Sequence, residues 1–115
     1  MTIYSKALID EFFSNNEKYS CLNFFRQSPH GYLILLYLHY YQTKNEELTL
    51  VTLYNLIPSK ISSNLTILNT IKQASESGFI EKVILETDKR SNSLKLKEVY
   101  FKEIDEWLSS IPKLK

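Results

Sequence analysis

This chain of 115 residues has few glycines, a single cysteine and a net charge close to zero, and each of these features excludes a class of protein. The two glycines, Gly31 and Gly78, are too few for a P-loop or a dinucleotide-binding fingerprint, which need several glycines at fixed offsets. The single cysteine, Cys21, cannot form a disulfide within the chain, so the chain is not a disulfide scaffold. The formal charge of +1 excludes a strongly basic overall composition, although it leaves room for a local basic patch.

Long apolar runs are also missing. The longest apolar-rich stretch, 32–41, is too short to span a bilayer and is interrupted by His39. The first twenty residues contain no apolar core of a signal peptide, so we expect a soluble, cytoplasmic protein. Apolar residues still make up 43% of the chain, and no linker divides it. We therefore expect one packed domain over residues 1–115.

Apolar spacing and capping residues predict helices in the first half of the chain. A first helix runs from residue 3 to about 15, and the apolar residues of 21–25 either continue it or form a short separate turn. Ser28 suits the N-cap, and Pro29 the first position, of a helix that extends to about residue 42. This helix is apolar on nearly every side, which predicts that it is the buried centre of the domain.

The second half predicts two helices and then a hairpin. Thr49 caps a short helix that ends before Pro58, and a longer helix begins at residue 62 or 63 and ends at 77, where Gly78 supplies a left-handed stop. The apolar face expected for this longer helix consists of Leu65, Leu68, Ile71 and Ala74, with Ile67 on its flank. Residues 79–86 and 93–99 read as strands joined by a charged turn over 87–92.

A final helix carries a wide apolar stripe: Phe101, Ile104, Leu108 and Ile111, flanked by Tyr100 and Trp107. The whole order predicts a mainly α fold with a small β-hairpin, that is, a winged helix-turn-helix. In that fold the second helix of the pair enters the DNA major groove. The hairpin, or wing, reaches the neighbouring backbone or the minor groove.

Residues 28 to about 99 carry three motifs in the order of a known family: Gly78-Phe79-Ile80-Glu81-Lys82, then Asp88-Lys89-Arg90-Ser91, then Leu94-Lys95-Leu96. In this order they resemble the MarR regulators, including their compact SarA-type branch. The resemblance implies a wing arginine, Arg90, that enters the minor groove and is held by Asp88. The chain departs from the family pattern at Ala74, Lys97 and Tyr100, and 62–77 contains no arginine. The alternative interpretation of Asp88 and Arg90 is that they belong to a solvated hairpin tip, where their charges only favour solubility.

The polar residues of the second helix are the first candidates for contact with DNA. Asn and Gln side chains can pair with adenine edges, while Ser and Thr hydroxyls serve phosphates or bases. Over 82–97 five basic residues against two acidic ones leave +3, which favours attraction to phosphate. The candidate DNA-binding residues are Lys60, Ser62, Ser63, Asn64, Thr66, Asn69, Thr70, Lys72, Gln73, Asp88, Lys89, Arg90 and Lys95. An ordinary solvated helix face is the alternative.

Little in the sequence indicates other chemistry. His30 and His39 are nine residues apart, which on one helix points them to opposite sides, so they form no two-histidine metal site. No nucleophile–base constellation is visible; we expect neither an enzyme nor a cofactor. Cys21 is a candidate redox thiol, because some MarR relatives use a thiol near the first helix as an oxidation switch. The alternative is a small buried apolar residue.

The terminal helices indicate a partner. Phe12, Phe13, Phe24 and Phe25, together with the stripe of the last helix, exceed what one small domain must bury. MarR-like proteins dimerise through their terminal helices, so the resemblance implies a homodimer that binds double-stranded DNA and regulates transcription. Two alternatives stay open: a winged-helix module that binds protein, and a plasmid or phage replication accessory on the same fold. The operator, and any small-molecule effector, stay unknown.

Overall fold

The computed structural model of the chain describes residues 3–84 and 92–111. In chain order its elements are α1 (Ile3–Lys18), α2 (Ser20–Arg26), α3 (Pro29–Thr43), α4 (Leu50–Leu56), α5 (Asn64–Glu76), β1 (Ile80–Ile84), β2 (Asn92–Leu96) and α6 (Glu98–Ser110). This order confirms the predicted mainly α architecture with one antiparallel hairpin. Residues 21–25 belong to a separate helix, α2. No helix within the described ranges has both the length and the apolarity needed to cross a membrane.

Three helices start at the capping residues that the sequence predicts. The side-chain oxygens of Ser28, Thr49 and Ser63 each accept a hydrogen bond from the backbone N–H three residues on, at 3.1, 3.2 and 3.2 Å. Each such cap contributes about 1 kcal/mol by satisfying a helix-end donor. The caps also set the boundaries, because α5 begins only after Ser63, and residue 62 therefore lies outside the helix.

Both glycines occupy positions that other residues would strain. Gly78 follows α5 with a φ of +83°, the left-handed conformation that ends many helices. Gly31 sits in the first turn of α3, where a Cβ would overlap the carbonyl oxygen of Phe25. The close approach of α2 to α3 therefore depends on the missing side chain at this position.

The core is centred on α3, as expected. Ile34, Leu35 and Leu38 are at most 1% exposed. Against them pack side chains of the neighbouring helices and of the hairpin, among them Leu53, Leu96 and Ile104. Most of the stability of α3 therefore comes from side-chain packing rather than from its intrinsic helix propensity.

The apolar face predicted for α5 is wrong in part. Ile67, which the sequence places on the flank, is fully buried with Ile71 and Ala74, whereas Leu65 is 66% exposed. The three buried residues follow the i, i+4, i+7 spacing of one helix stripe. Leu65 lies roughly 200° around the helix from Ile67 and therefore points away from the core.

The second strand of the hairpin ends at Leu96 rather than at residue 99, and the hairpin is tied to α3. Its register pairs Ile80 with Leu96 and Lys82 with Leu94. The Leu94 N–H donates to the Leu48 carbonyl at 2.7 Å, and the Gln42 side chain accepts from the Leu96 N–H at 3.0 Å and donates to the Leu96 carbonyl at 3.1 Å. These bonds fix the base of the wing. Most of the predicted turn, with Asp88, Lys89 and Arg90, lies outside the described residues.

The excess of apolar residues expected on the last helix is not there. Ile104 and Trp107 are fully buried, and the rest of the stripe is partly buried against the core. The reason is that α6 packs across α3, where the Trp107 ring lies 6.2 Å from that of Tyr32. Phe25 on α2 is buried as well. The helices therefore close the core of the chain itself, and of the residues expected to be surplus only Phe12 and Phe13, on α1, are exposed.

Four neighbouring apolar residues of α1 stay exposed. Leu8, Ile9, Phe12 and Phe13 are 44%, 52%, 45% and 70% exposed. The pairs 8/12 and 9/13 are each four residues apart, so the four side chains form one stripe along the helix. We call these four residues the α1 stripe.

One arginine holds α1 against the rest of the domain. Arg26 donates from Nη1 and Nη2 to the two Glu11 carboxylate oxygens, both at 2.8 Å, and from Nε to Asn16 Oδ1 at 2.9 Å. Its guanidinium also lies 4.8 Å from the centre of the Phe12 ring and 5.4 Å from that of Trp107. The two charged side chains are 9% and 12% exposed. Arg26 and Glu11 thus form a nearly buried ion pair that connects α1 to α2 and α6.

Candidate nucleic-acid interface

The solvent side of α5 is predominantly polar. Asn64, Thr66, Asn69, Lys72 and Gln73 are all exposed. The last four lie on the side of the helix away from its buried stripe, and Asn64 is exposed as the first residue of the helix. Within residues 3–84 and 92–111, the amide side chains of Asn64, Asn69 and Gln73 form no hydrogen bond. These amides are therefore available as hydrogen-bond donors and acceptors for a binding partner.

Two of the predicted contact residues differ from this description. Ser62 is only 7% exposed, so the prediction that it lies on the exposed polar face is wrong. The connector turns back on itself, with the N–H groups of Ile61 and Ser62 both donating to the Pro58 carbonyl, and this turn places Ser62 on the inner side. The Ser63 hydroxyl is exposed but is occupied by its capping bond and by a 3.0 Å contact with Thr66 Oγ1.

Thr70 lies at the edge of the polar face and has internal partners. Its hydroxyl donates to the Thr66 carbonyl at 2.9 Å, and its Oγ1 lies 3.2 Å from His30 Nε2. His30 is in the first turn of α3, and its Nε2 is also 3.3 Å from Ser28 Oγ. This cluster joins the start of α3 to the middle of α5, a link that the sequence analysis did not anticipate.

Several lysines surround this face and the wing base. Lys60, Lys72, Lys82 and Lys97 are exposed, and Lys95 is partly buried. None of them forms an ion pair within the described parts of the chain. Lysines without a carboxylate partner leave their positive charge available to an anion such as a phosphate group.

Sequence reasoning missed one apolar contributor to this surface. Leu65 stands in the first turn of α5, on the exposed side, between residues that were predicted to contact DNA. Val51 and Ile61, on α4 and in the connector, are also exposed, at 64% and 44%. The signal that could have found Leu65 is the Ser63 cap, because a helix starting at Asn64 with Ile67, Ile71 and Ala74 inside must turn Leu65 outward.

The structure contradicts the redox interpretation of Cys21. The side chain is completely buried in α2. Burial, with a smaller contribution from the charge of Glu103, raises the pKa of the thiol to about 12. The reactive species is the thiolate, which is then absent at neutral pH and inaccessible to an oxidant. Cys21 is a small apolar core residue.

The two histidines have separate structural roles. His39 Nε2 is 3.1 Å from Asp105 Oδ1, and its ring stacks on Phe101 at 4.9 Å. His39 is thus a partly buried histidine with a hydrogen-bond partner. His30 belongs instead to the cluster at Thr70. Within the described ranges, no three His, Cys, Asp or Glu side chains come together in a way that could hold a metal ion.

Two helices in sequence, the second with an exposed polar face, followed by a hairpin whose base is fixed to α3, define a winged helix-turn-helix protein. The structure is similar to that of MepR from S. aureus, solved in complex with DNA, with a TM-score of 0.60, 17% identity and coverage of 92% of this chain and 81% of that one. It is also similar to the heme sensor protein PefR from Streptococcus agalactiae, solved in complex with heme, with a TM-score of 0.56, 21% identity and coverage of 93% and 69%. The heme-free form of PefR gives a TM-score of 0.56 at 20% identity, with coverage of 93% and 74%.

No family model matches the chain, and no curated protein matches it by sequence. PefR and MepR are regulators of the MarR family. The fold expected from the sequence resemblance is therefore confirmed. At identities of 17–21%, the likeness establishes the fold of the chain.

Proposed function

We propose that the chain is a DNA-binding transcription regulator that acts as a homodimer and reads DNA with α5 and the wing. The observation that carries the proposal is the exposed polar face of α5 within a winged helix-turn-helix fold, since the second helix of such a pair is the one that docks in the major groove. MepR, which has this fold, was solved in complex with DNA. The proposal places the protein in the cytoplasm and gives it no catalytic step.

The contacts we propose divide by chemistry. Asn64, Asn69 and Gln73 have exposed amides suited to base edges. Lys60, Lys72 and Lys95, with Thr66 and the Ser63 end of the helix, are suited to phosphates. Asp88, Lys89 and Arg90 stay predictions from the sequence, with Arg90 in the minor groove and Asp88 orienting it.

The partner in the proposed homodimer packs on the α1 stripe. Contiguous exposed apolar side chains are uncommon on a monomer and mark contact surfaces. A two-fold dimer would present two copies of α5 to two half-sites of DNA, which matches the symmetry of most operators. The proposal thus moves the interface from both terminal helices to α1.

DNA binding is tested by fluorescence anisotropy with duplexes drawn from a random pool, over a range of salt concentrations. If a dimer neutralises about six to eight phosphates, log affinity falls with log salt at a slope of roughly −5 to −7. Asn69→Ala and Arg90→Ala should each weaken binding by about 1–3 kcal/mol. Asn23→Ala, which removes an exposed asparagine of α2, is the matched control and should bind as the wild type does. A wild type that binds no duplex at low salt would overturn the proposal.

The dimer is tested by light scattering after size-exclusion chromatography. Ile9→Ser combined with Phe13→Ser removes the two most exposed side chains of the α1 stripe and should yield a monomer. Phe12 is left in place because Arg26 stacks on it. Val51→Ser, which removes an exposed apolar residue of α4, should leave the mass unchanged. A double variant that keeps the mass of a dimer would place the interface elsewhere.

A module that binds another protein is the second candidate function. It is favoured by the exposed apolar residues of the helix-turn-helix, Val51, Ile61 and Leu65, and by the absence of arginine from α5. If the wild type binds no duplex in the anisotropy titrations, the protein-binding function replaces DNA binding as the proposed function. A replication accessory would bind DNA as well, and would be separated from a regulator by the location of the selected sequence at a replication origin rather than a promoter.

A further inference from the structure

Thr70 differs from the other polar residues of α5 because both its hydroxyl proton and its Oγ1 are used inside the protein. The Thr70 hydroxyl has one proton, and the hydroxyl donates this proton to the Thr66 carbonyl oxygen at 2.9 Å. The direction is certain because a carbonyl oxygen can only accept. The same oxygen is 3.2 Å from His30 Nε2. Since the proton of Thr70 is committed, its oxygen must accept in this second contact.

This proton count fixes the state of His30. Nε2 must carry a hydrogen to donate to Thr70, because two lone pairs at 3.2 Å would repel. The neighbouring Ser28 Oγ, 3.3 Å from Nε2, already accepts from the Gly31 N–H as the helix cap. It therefore serves as a second, weaker acceptor for the same hydrogen. His30 thus holds the Thr70 oxygen toward α3 through a chain that starts at the cap of that helix.

A threonine whose oxygen is held in this way has one group left for an external partner, its methyl. The hydroxyl bond to the carbonyl four residues earlier and the bond from His30 together fix the rotamer. The two groups on Cβ diverge, so the methyl takes a different direction from the hydroxyl, on a residue that is partly exposed. In the major groove the base feature that an apolar group recognises is the 5-methyl of thymine.

We propose that Thr70 reads a thymine in each half-site through its methyl group, and that His30 is the positioning residue that holds it in this orientation. The inference rests on the proposed DNA-binding function and replaces the earlier expectation that the Thr70 hydroxyl contacts DNA. It makes Thr70 a specificity-determining residue of α5. His30, although it lies forty residues earlier in the chain, acts on sequence preference through Thr70.

The test uses the duplex that the full wild-type chain selects from a random pool. Each thymine of that duplex is replaced in turn by uracil, which removes only the 5-methyl group. For the wild type, one thymine per half-site should be sensitive, with a loss of about fourfold in affinity, the change that the burial of one methyl group corresponds to. Uracil at the other thymines should change affinity less.

Two matched variants separate the methyl from the hydroxyl of Thr70. Thr70→Ser keeps the hydroxyl and removes the methyl, and it should bind the thymine and uracil duplexes equally at the sensitive position. Thr70→Val keeps a methyl but lacks the oxygen that His30 holds, so its preference for thymine should be weaker than that of the wild type and stronger than that of Thr70→Ser. The opposite pattern, with the preference kept by Thr70→Ser and lost by Thr70→Val, would overturn the proposal.

The role of His30 is tested by rescue. Gln can place an amide N–H near the position of Nε2, whereas the shorter Asn places it near Nδ1. His30→Gln should therefore keep the thymine preference, and His30→Asn should lose it, while both fold with the wild-type circular dichroism spectrum. If both variants keep the wild-type preference for thymine, His30 has no part in the mechanism. A wild type that binds duplex DNA but is insensitive to every uracil overturns this inference alone, whereas a wild type that binds no duplex overturns the proposed function with it.

Discussion

Replacing Arg26 with methionine would remove the guanidinium that joins α1 to the body of the domain while keeping an apolar side chain between Phe12 and Trp107. The change deletes two charge-assisted bonds to Glu11 at 2.8 Å and leaves a carboxylate that is only 12% exposed without its cation. Breaking a buried pair from one side costs about 3–5 kcal/mol, mostly because the remaining charge is desolvated. That is a large part of the ~5–15 kcal/mol by which domains are usually stable.

The assay is urea denaturation followed by tryptophan fluorescence. Trp107 is the single tryptophan, is fully buried and lies against Arg26, so its emission reports on this region. With a slope of about 1–3 kcal/mol per molar urea, a loss of this size lowers the midpoint by roughly 2 M. Combining Arg26→Met with Glu11→Leu removes both charges, and should recover stability to within about 1 kcal/mol of the wild type.

The same pair predicts the pH dependence of stability. Burial alone would raise the pKa of the Glu11 carboxyl, but its bonds to Arg26 and Asn15 and the charge of Arg26 outweigh burial and hold the pKa below 4.5. The nearby indole N–H of Trp107, which is buried and has no hydrogen-bond partner among the described residues, lowers this pKa a little further.

A carboxyl with a lowered pKa contributes stability that is present above its unfolded pKa and is lost as the pH falls through its folded pKa. Stability should therefore decline in acid below about pH 4.5, and the decline should be shallower in Glu11→Gln. The reasoning would be refuted if Arg26→Met cost less than about 1 kcal/mol, or if the double variant were no more stable than the single one.

Three further predictions concern single positions. Cys21 should be unreactive toward a thiol reagent in the folded chain and should react fully in urea, and Cys21→Ser should cost about 1–3 kcal/mol in thermal unfolding because it buries a hydroxyl. Gly31→Ala should cost about 1–3 kcal/mol, since its Cβ would press on the Phe25 carbonyl, and a neutral result would mean that α2 shifts at no cost. Leu65→Ala should leave unfolding unchanged within about 0.5 kcal/mol yet weaken DNA binding in anisotropy titrations, and unaltered affinity would remove Leu65 from the interface.

The helices were predictable from sequence because their ends carry local signals. Ser28, Thr49 and Ser63 act as caps through side-chain bonds to the backbone three residues on, a pattern that depends on no distant residue. The stop at Gly78 is equally local. Because the helix ends could be predicted, the order of helices and strands could be predicted too, and that order indicates the winged helix-turn-helix fold.

What sequence reasoning missed depends on contacts between distant parts of the chain. The pairing of His30 with Thr70 and that of Arg26 with Glu11 arise only when helices pack, and neither spacing nor composition encodes them. Burial was misjudged for the same reason. Trp107 looked surplus on its own helix but is covered by α2 and α3 residues, and Ser62 looked exposed but lies under its own turn.

The Gln42 amide, which bonds to both the N–H and the carbonyl of Leu96, has a consequence for solubility. A two-stranded hairpin has two open edges, and an open edge can recruit the strand of another molecule. Here a side chain from α3 takes the place of a third strand at Leu96, and the Leu48 carbonyl does so at Leu94. The outer edge of β2 is thereby closed at those residues, so a strand of another molecule cannot pair with β2 there.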